Sequence, residues 1–309
     1  MLTVVTLVKD RNDMLGTFLR GFTTQSDGRF EIVVVDVGGS EDPWDIVETF
    51  PQLPVITHRM ERDRSSRFAD TIPYSAARNA GAADGAGEHV VFCDADTIPS
   101  AGFVGALHDA LDGRQALCTV EVLYLPPIAP SALCSLPVDW LASVGRPHPA
   151  RERPPRNGVR AGRRHDLVWG LCMAMRRDTF DRSGGFDSSY DGYAGEDTDL
   201  AKTLAAMGIP VGLVGDAFVL HRHHDSFEPP LQQLRATTDN ARRFHEKWGE
   251  WPMSGWLGSF RDLGLVEWDD DGLRVVREPT EQELEASRCA VARPFRRQTM
   301  SDTVARYGR

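Results

Sequence analysis

No apolar run in this 309-residue chain approaches transmembrane length. The opening stretch, Met1 to Val8, meets charge at Lys9 and Asp10, too early for a signal peptide. A lipid-linked partner is therefore expected to be reached from the water side. Cysteine is scarce: Cys93, Cys118, Cys134, Cys172 and Cys289 show no CxxC spacing and no even framework. Reduced thiols in a cytoplasmic protein are the expectation. Positive charge is in deficit, with a formal net charge of −10, which disfavours a nucleic-acid backbone as partner. A GxGxxG turn is missing after the first apolar run, where Lys9-Asp-Arg-Asn-Asp13 stands instead, so a dinucleotide oxidoreductase loses its main support. The Gly-rich basic loop that opens a nucleotidyltransferase is also absent, and there is no internal repeat.

What is present is ordinary globular material, 41% hydrophobic and 26% charged. Leu2–Val8 and Glu31–Asp36 are β-branched-rich runs and predict buried strands. A helix is expected between them, over Asp13–Phe22, with Leu15, Phe18, Leu19 and Phe22 on one face. A short strand at Pro54–His58, an Ala-rich helix at Ser75–Ala83 and a strand at His89–Cys93 continue the alternation. Such βαβ units predict a mainly parallel α/β sheet whose ligands lie beyond the carboxyl ends of its strands. The second half is expected to hold a helix from about Glu196 to Met207, a strand at Val211–Leu220 and a helix at Leu231–His245. Between the halves, Pro147–Arg164 is rich in Pro, Arg and Gly and predicts a mobile loop, either a lid over an anionic ligand or a linker. A boundary is expected near 228, with a helical extension and a basic tail over 229–309.

Three constellations carry candidate chemistry. Asp94-Ala95-Asp96 leaves a buried strand at the ligand edge, and hard divalent cations that bridge to diphosphate need such oxygen ligands. Gly192-Tyr-Ala-Gly-Glu196-Asp197-Thr-Asp199 joins a permissive backbone to carboxylates at a helix start, where one acid caps the helix (Asp199 first) and another takes a proton. His221-Arg-His223-His224 follows the last long apolar run, and imidazole suits Mn(II) or another transition metal. Lys9, Arg11 and Arg78 either neutralise phosphates or make surface ion pairs. Trp248, Trp251 and Trp256 offer faces for sugar stacking or for packing.

In this order, over roughly residues 2–225, these segments resemble family-2-type glycosyltransferases of the GT-A fold with a galactosyltransferase-like C-terminal half. Val4 to Asn12 resembles the family's opening pattern, Glu31–Asp36 its nucleoside strand, and Asp94-Ala-Asp96-Thr-Ile-Pro99 the galactosyltransferase form of the DxD. Phe180-Asp-Arg-Ser-Gly-Gly-Phe186 through Asp199 resembles that group's acceptor motif, and the segment Asn240–Trp256 is similar to bacterial galactosyltransferase-related proteins. The resemblance implies that Val8, Lys9, Arg11, Asp36 and Arg78 line a nucleoside diphosphate. It implies that Asp94 lies by ribose and metal and that Asp96 binds the metal, joined by His221 and with His223 and His224 as further candidates. Asp197 falls at the base position, and Glu196 and Tyr193 at positions that hold a sugar. The implied partners are a UDP-sugar, a divalent metal (Mn(II) preferred, Mg(II) the alternative), and a glycan, lipid-linked or small-molecule acceptor. Two features depart from the pattern: Val37 follows Asp36 where many members carry a second acid, and Phe218 stands where a metal-binding Met is found. The alternatives are a GDP-mannose-dependent transferase and a non-catalytic sugar- or nucleotide-binding module on the same fold.

Overall fold

The computed structural model describes residues 1–60, 71–270 and 272–289. The basic tail beyond 289 lies outside the described residues. Along the first half run β1 (Leu2–Val8), α1 (Asn12–Phe22), β2 (Phe30–Asp36), α2 (Trp44–Val47), β3 (Val55–Arg59), α3 (Tyr74–Asp84), β4 (His89–Phe92), β5 (Thr97–Pro99), α4 (Phe103–Leu111) and β6 (Leu117–Tyr124). There follow α5 (Pro130–Ser135), α6 (Val138–Val144), β7 (Arg146–Pro147), β8 (Val159–Gly162), β9 (Met173–Arg176), α7 (Arg177–Ser183), α8 (Glu196–Ala206) and β10 (Val211–His221). Helices α9 (Leu234–Trp248) and α10 (Ser254–Asp262) come last of the long elements used below.

The main sheet has the order β3-β2-β1-β4-β9-β6-β10-β5, with β7 beside β6 and β8 beside β10. Strands β3, β2, β1 and β4 pair in parallel, as do β6 and β10. Because β9 is antiparallel to both β4 and β6, strands β1, β2, β3, β4, β6 and β10 all point one way. The sheet is mainly parallel, as the alternation predicts. Period-two patterning of each strand then feeds two cores. Leu2, Val4, Ile32, Val34 and Val91 pack on α1 and α4, while Val5, Val33, Val35, Val90 and Phe92 pack on α3 and α8. Three layers, helix on sheet on helix, are the result.

The basic stretch expected to be a mobile loop is tied to the sheet at both ends. Arg146 and Pro147 pair with Tyr124 and Leu123, and Val159–Gly162 pairs antiparallel with Val211–Val214. Edge pairing needs only backbone donors and acceptors, so side chains exposed to water carry no apolar signature of it. No helix among the described residues is long and apolar enough to cross a membrane.

Candidate active site

Strands β1, β2, β4 and β10 all end at one rim, and the polar segments that follow them meet there. After β1, Asp10 accepts from Ser40 N, from Ser40 Oγ at 2.8 Å and from Glu41 N at 3.0 Å, fastening the first loop to the one after β2. Val8 is buried at the strand end, where its carbonyl accepts from Val37 N at 3.1 Å, and Lys9 beside it is partly exposed. Asp36 closes β2, accepting from Gly38 N at 2.8 Å with Arg59 Nε 3.3 Å away.

After β4 the chain turns sharply: Thr97 donates to the Asp94 carbonyl from N (3.0 Å) and Oγ1 (2.8 Å). Arg222 N donates to the Asp96 carbonyl at 2.8 Å, which brings the end of β10 against this turn. The buried Arg222 side chain holds that junction to α1 through Asp13 and Thr17. In consequence one ligand atom each of Asp96, His221 and His224 lies within 4.8 Å of the others. Asp96 Oδ2 is 3.2 Å from His224 Nε2 and 3.6 Å from His221 Nε2 and from Arg11 Nη1. His223 is not part of this group among the described residues.

The electrostatics suit a cation there. Burial works to raise the Asp96 carboxyl, but His221, His224 and Arg11 outweigh it and hold the group well below the usual carboxylate range. Burial pushes the His221 imidazole down to about 4, leaving it neutral, the form that ligates metals. Asp96 Oδ1 and His221 Nδ1 are buried without a hydrogen-bond partner. An oxygen and two imidazole nitrogens fit Mn(II) or a similar divalent ion.

A second cluster stands on α3 and the start of α8. Arg78 is buried; its Nη1 donates to Glu196 Oε1 at 2.7 Å and its Nη2 lies 3.3 Å from Asp94 Oδ1. Its guanidinium also lies over the rings of Tyr74 and Phe186. Gly170 permits this arrangement, since a Cβ there would come within 2.2 Å of Arg78 Nη2. Burial first, then the neighbouring Asp197 charge, push Glu196 up to about 7 against the pull of Arg78. Burial likewise raises Asp94 despite Arg78. Asp197 is fixed by Thr198 N (2.6 Å) and Thr198 Oγ1 (3.2 Å) on Oδ1 and by Gly170 N (3.3 Å) on Oδ2.

The loop ahead of α8 is shaped by left-handed backbone at Gly192, Ala194 and Gly195. Asn240 of α9 holds it, donating from Nδ2 to the carbonyls of Asp191, Tyr193 and Ala194. Tyr193 stacks on Trp256 of α10 with ring centroids 6.0 Å apart. Trp251 instead stacks on His245, and Trp248 bonds Asp199. The expectation that Asp199 caps α8 fails. Asp199 is buried and accepts from Tyr190 Oη (3.1 Å), Lys247 Nζ (2.8 Å) and Trp248 Nε1 (2.7 Å), so its oxygens are taken by distant donors. The N-cap residue, Gly195, has no side chain to cap with.

Sequence reasoning missed Asp10, Arg59, Gly170, Arg222 and Asn240. Asp10, Arg222 and Asn240 stand inside segments singled out for other residues, and Gly170 is a glycine inside an otherwise apolar segment.

Residues 3–126 match the family model of glycosyl transferase family 2. A validoxylamine A glucosyltransferase of Streptomyces hygroscopicus subsp. limoneus is 25% identical over 262 residues, covering 75% of this chain and 53% of that protein. A second, from S. hygroscopicus subsp. jinggangensis, is 26% identical over the same length. The chain spans about half the length of the curated relatives it matches. Among solved structures, S. aureus TarS 1-349 in complex with UDP has a TM-score of 0.53 at 14% identity, covering 79% of this chain and 65% of that one. GalNAc-T7 with UDP, GalNAc and Mn2+ gives 0.52 at 15%, covering 72% and 43%. These likenesses establish the fold as GT-A.

Proposed function

With residues 3–126 matching the family model of glycosyl transferase family 2, we propose that the chain is an inverting, metal-dependent transferase that moves a hexose or N-acetylhexosamine from a UDP-sugar to an acceptor hydroxyl. One observation carries this reading: Asp96, His221 and His224 converge at the strand ends where the Asp197 loop also arrives, with Arg78 joining the two sides through Asp94 and Glu196. The UDP bound in the TarS and GalNAc-T7 structures supports a nucleotide-sugar donor.

Asp96, His221 and His224 would hold the metal, Mn(II) first and Mg(II) as the alternative, which would supply positive charge to a diphosphate leaving group. Val8, Lys9 and Arg11 line the diphosphate, and Asp36 contacts the nucleoside from the end of β2. Asp197 takes the proton of the acceptor hydroxyl as that oxygen attacks the anomeric carbon from the face opposite the diphosphate. Its two oxygens are held by backbone and Thr198, so the base keeps one orientation through the reaction. Tyr193 and Glu196 hold sugar hydroxyls and ring faces beside it. Arg78 acts as a strut between the DxD turn and the base loop, because both its bonds go to protein carboxylates.

The test is calorimetric titration of UDP, GDP and their sugars, with and without Mn(II). Metal-dependent binding of a UDP-sugar is expected. Failure of every nucleotide to bind with metal present overturns the transferase reading, and preference for GDP-mannose changes the donor.

A further inference from the structure

Beyond the metal group, β7 opens into a turn in which Ala150 N donates to His148 Nδ1 at 3.2 Å and Arg151 N to the His148 carbonyl at 3.1 Å. This turn drives Arg151 inward. Its guanidinium lies over Trp169, 5.2 Å from the ring centroid, and Nη2 donates to Thr119 Oγ1 at 3.0 Å. Nη1 is buried and has no hydrogen-bond partner. Among the described residues no carboxylate forms an ion pair with Arg151; Glu121 and Asp197 act on it only from a distance. A guanidinium sunk this far without a counter-charge is costly, and such groups are normally paired. In a chain of net charge −10 the missing acceptor is all the more conspicuous.

Arg151 lines a cavity of about 410 Å³ with Arg146, Pro147, His148, Pro149 and Arg153. Arg146 and Arg153 are exposed, and no acidic side chain lines the cavity among the described residues. The volume is in the range that small-molecule sites occupy. The cavity wall is continuous with the proposed catalytic groups. His148 packs on Tyr124 (centroids 5.9 Å) and Trp169 (5.3 Å), and Tyr124 packs on His221 (4.8 Å). Trp169 precedes Gly170, whose N–H donates to Asp197.

We propose that this cavity is an acceptor-side subsite for an anionic group, a carboxylate or a phosphate monoester, with the half-buried Arg151 as its anchor and Arg146 and Arg153 as its rim. The acceptor part rests on the transferase reading; the anion site itself does not. A planar guanidinium presents paired donors to either oxyanion, so carboxylate and phosphate share the recognition chemistry. The basic segment at 146–153 thereby gains a task that fits its charge and its attachment to the sheet.

The experiment titrates glucose 6-phosphate, glucuronate and glucose into the full chain by calorimetry, after saturation with UDP and Mn(II). At least one charged sugar is expected to bind about tenfold or more tightly than glucose, as charge-assisted bonds imply. The better of the two identifies phosphate or carboxylate. The exposed pair R146Q/R153Q, which leaves the core intact, is expected to weaken that binding about tenfold, and Arg151→Met more. Equal affinity for charged and neutral sugars overturns the subsite, as does charged-sugar binding unchanged in R146Q/R153Q. If UDP itself does not bind, the transferase reading fails separately. Charged-sugar binding to the nucleotide-free chain, weakened in R146Q/R153Q, then still supports the anion site.

Discussion

Asp96 and Glu196 are both buried carboxylates at the same rim, yet their surroundings drive them in opposite directions. Asp96 faces two imidazoles and Arg11 and is held ionised, while Glu196 sits beside Asp197 and keeps its proton to about 7 even with Arg78 bonded to it. Burial acts on both alike, so the difference comes from the company each keeps. Paired groups whose environments separate their protonation states mark divided labour at a site. On the proposed reading the division is between a group that would meet a cation and a group that would share protons and hydroxyls.

The sharpest way to break that division is at the base. Asp197→Asn is expected to lower transfer about 10²–10⁴-fold while UDP binding stays near wild type; equal turnover in the variant removes Asp197 from that role. Next, Arg78→Met strips the cation from the buried Glu196 and the half-buried Asp94 and is expected to cost about 3–5 kcal/mol of stability, read by urea unfolding. A loss below about 1 kcal/mol, the value of an exposed pair, contradicts the strut. Asp96→Asn keeps the shape but removes the ionised ligand, and UDP affinity in Mn(II) is expected to fall about 10–100-fold. Unchanged metal-dependent titration curves contradict the ligand set.

A last effect separates the clusters by pH. Folded Glu196 holds its proton to about 7 against an ordinary 4.5, so the folded chain binds more protons between these values and stability falls as pH rises through them. His221 is the reverse, about 4 against 6.5, so the unfolded chain binds more protons and stability rises across that window. Melting temperatures from pH 4 to pH 7 for Glu196→Gln and His221→Asn are expected to lose these slopes of opposite sign. Parallel changes in the two variants contradict the assignment.

Much of the rim was legible because it follows strands that advertise themselves. Leu2–Val8, Phe30–Asp36 and His89–Phe92 are apolar runs, and what comes after each lands at the ligand edge. Partnerships over long separations were not legible. Arg78 reaches Glu196, and Arg222 reaches Asp13, through geometry that no local pattern encodes. Asp199 had the position of a cap and serves as a buried acceptor for α9, since Lys247 and Trp248 compete for its oxygens. The pairing at the two ends of the segment at 146–164 was not legible, because Arg, Pro and Gly on a solvent-facing edge look the same whether or not their backbone is paired.

Strand β9 sits between β4 and β6 although it is made long after both. The stretch matched by the family model, 3–126, therefore contains the block β3-β2-β1-β4 and, apart from it, β6 and β5, which join the sheet only through the later β9 and β10. On the ribosome the facing edges of β4 and β6 stay open until residues 173–176 emerge, a window in which the nascent chain is open to wrong pairings. For the engineer the same gap rules out 126 as a place to cut or to splice. A chimera that exchanges the nucleotide half must carry β9 with it.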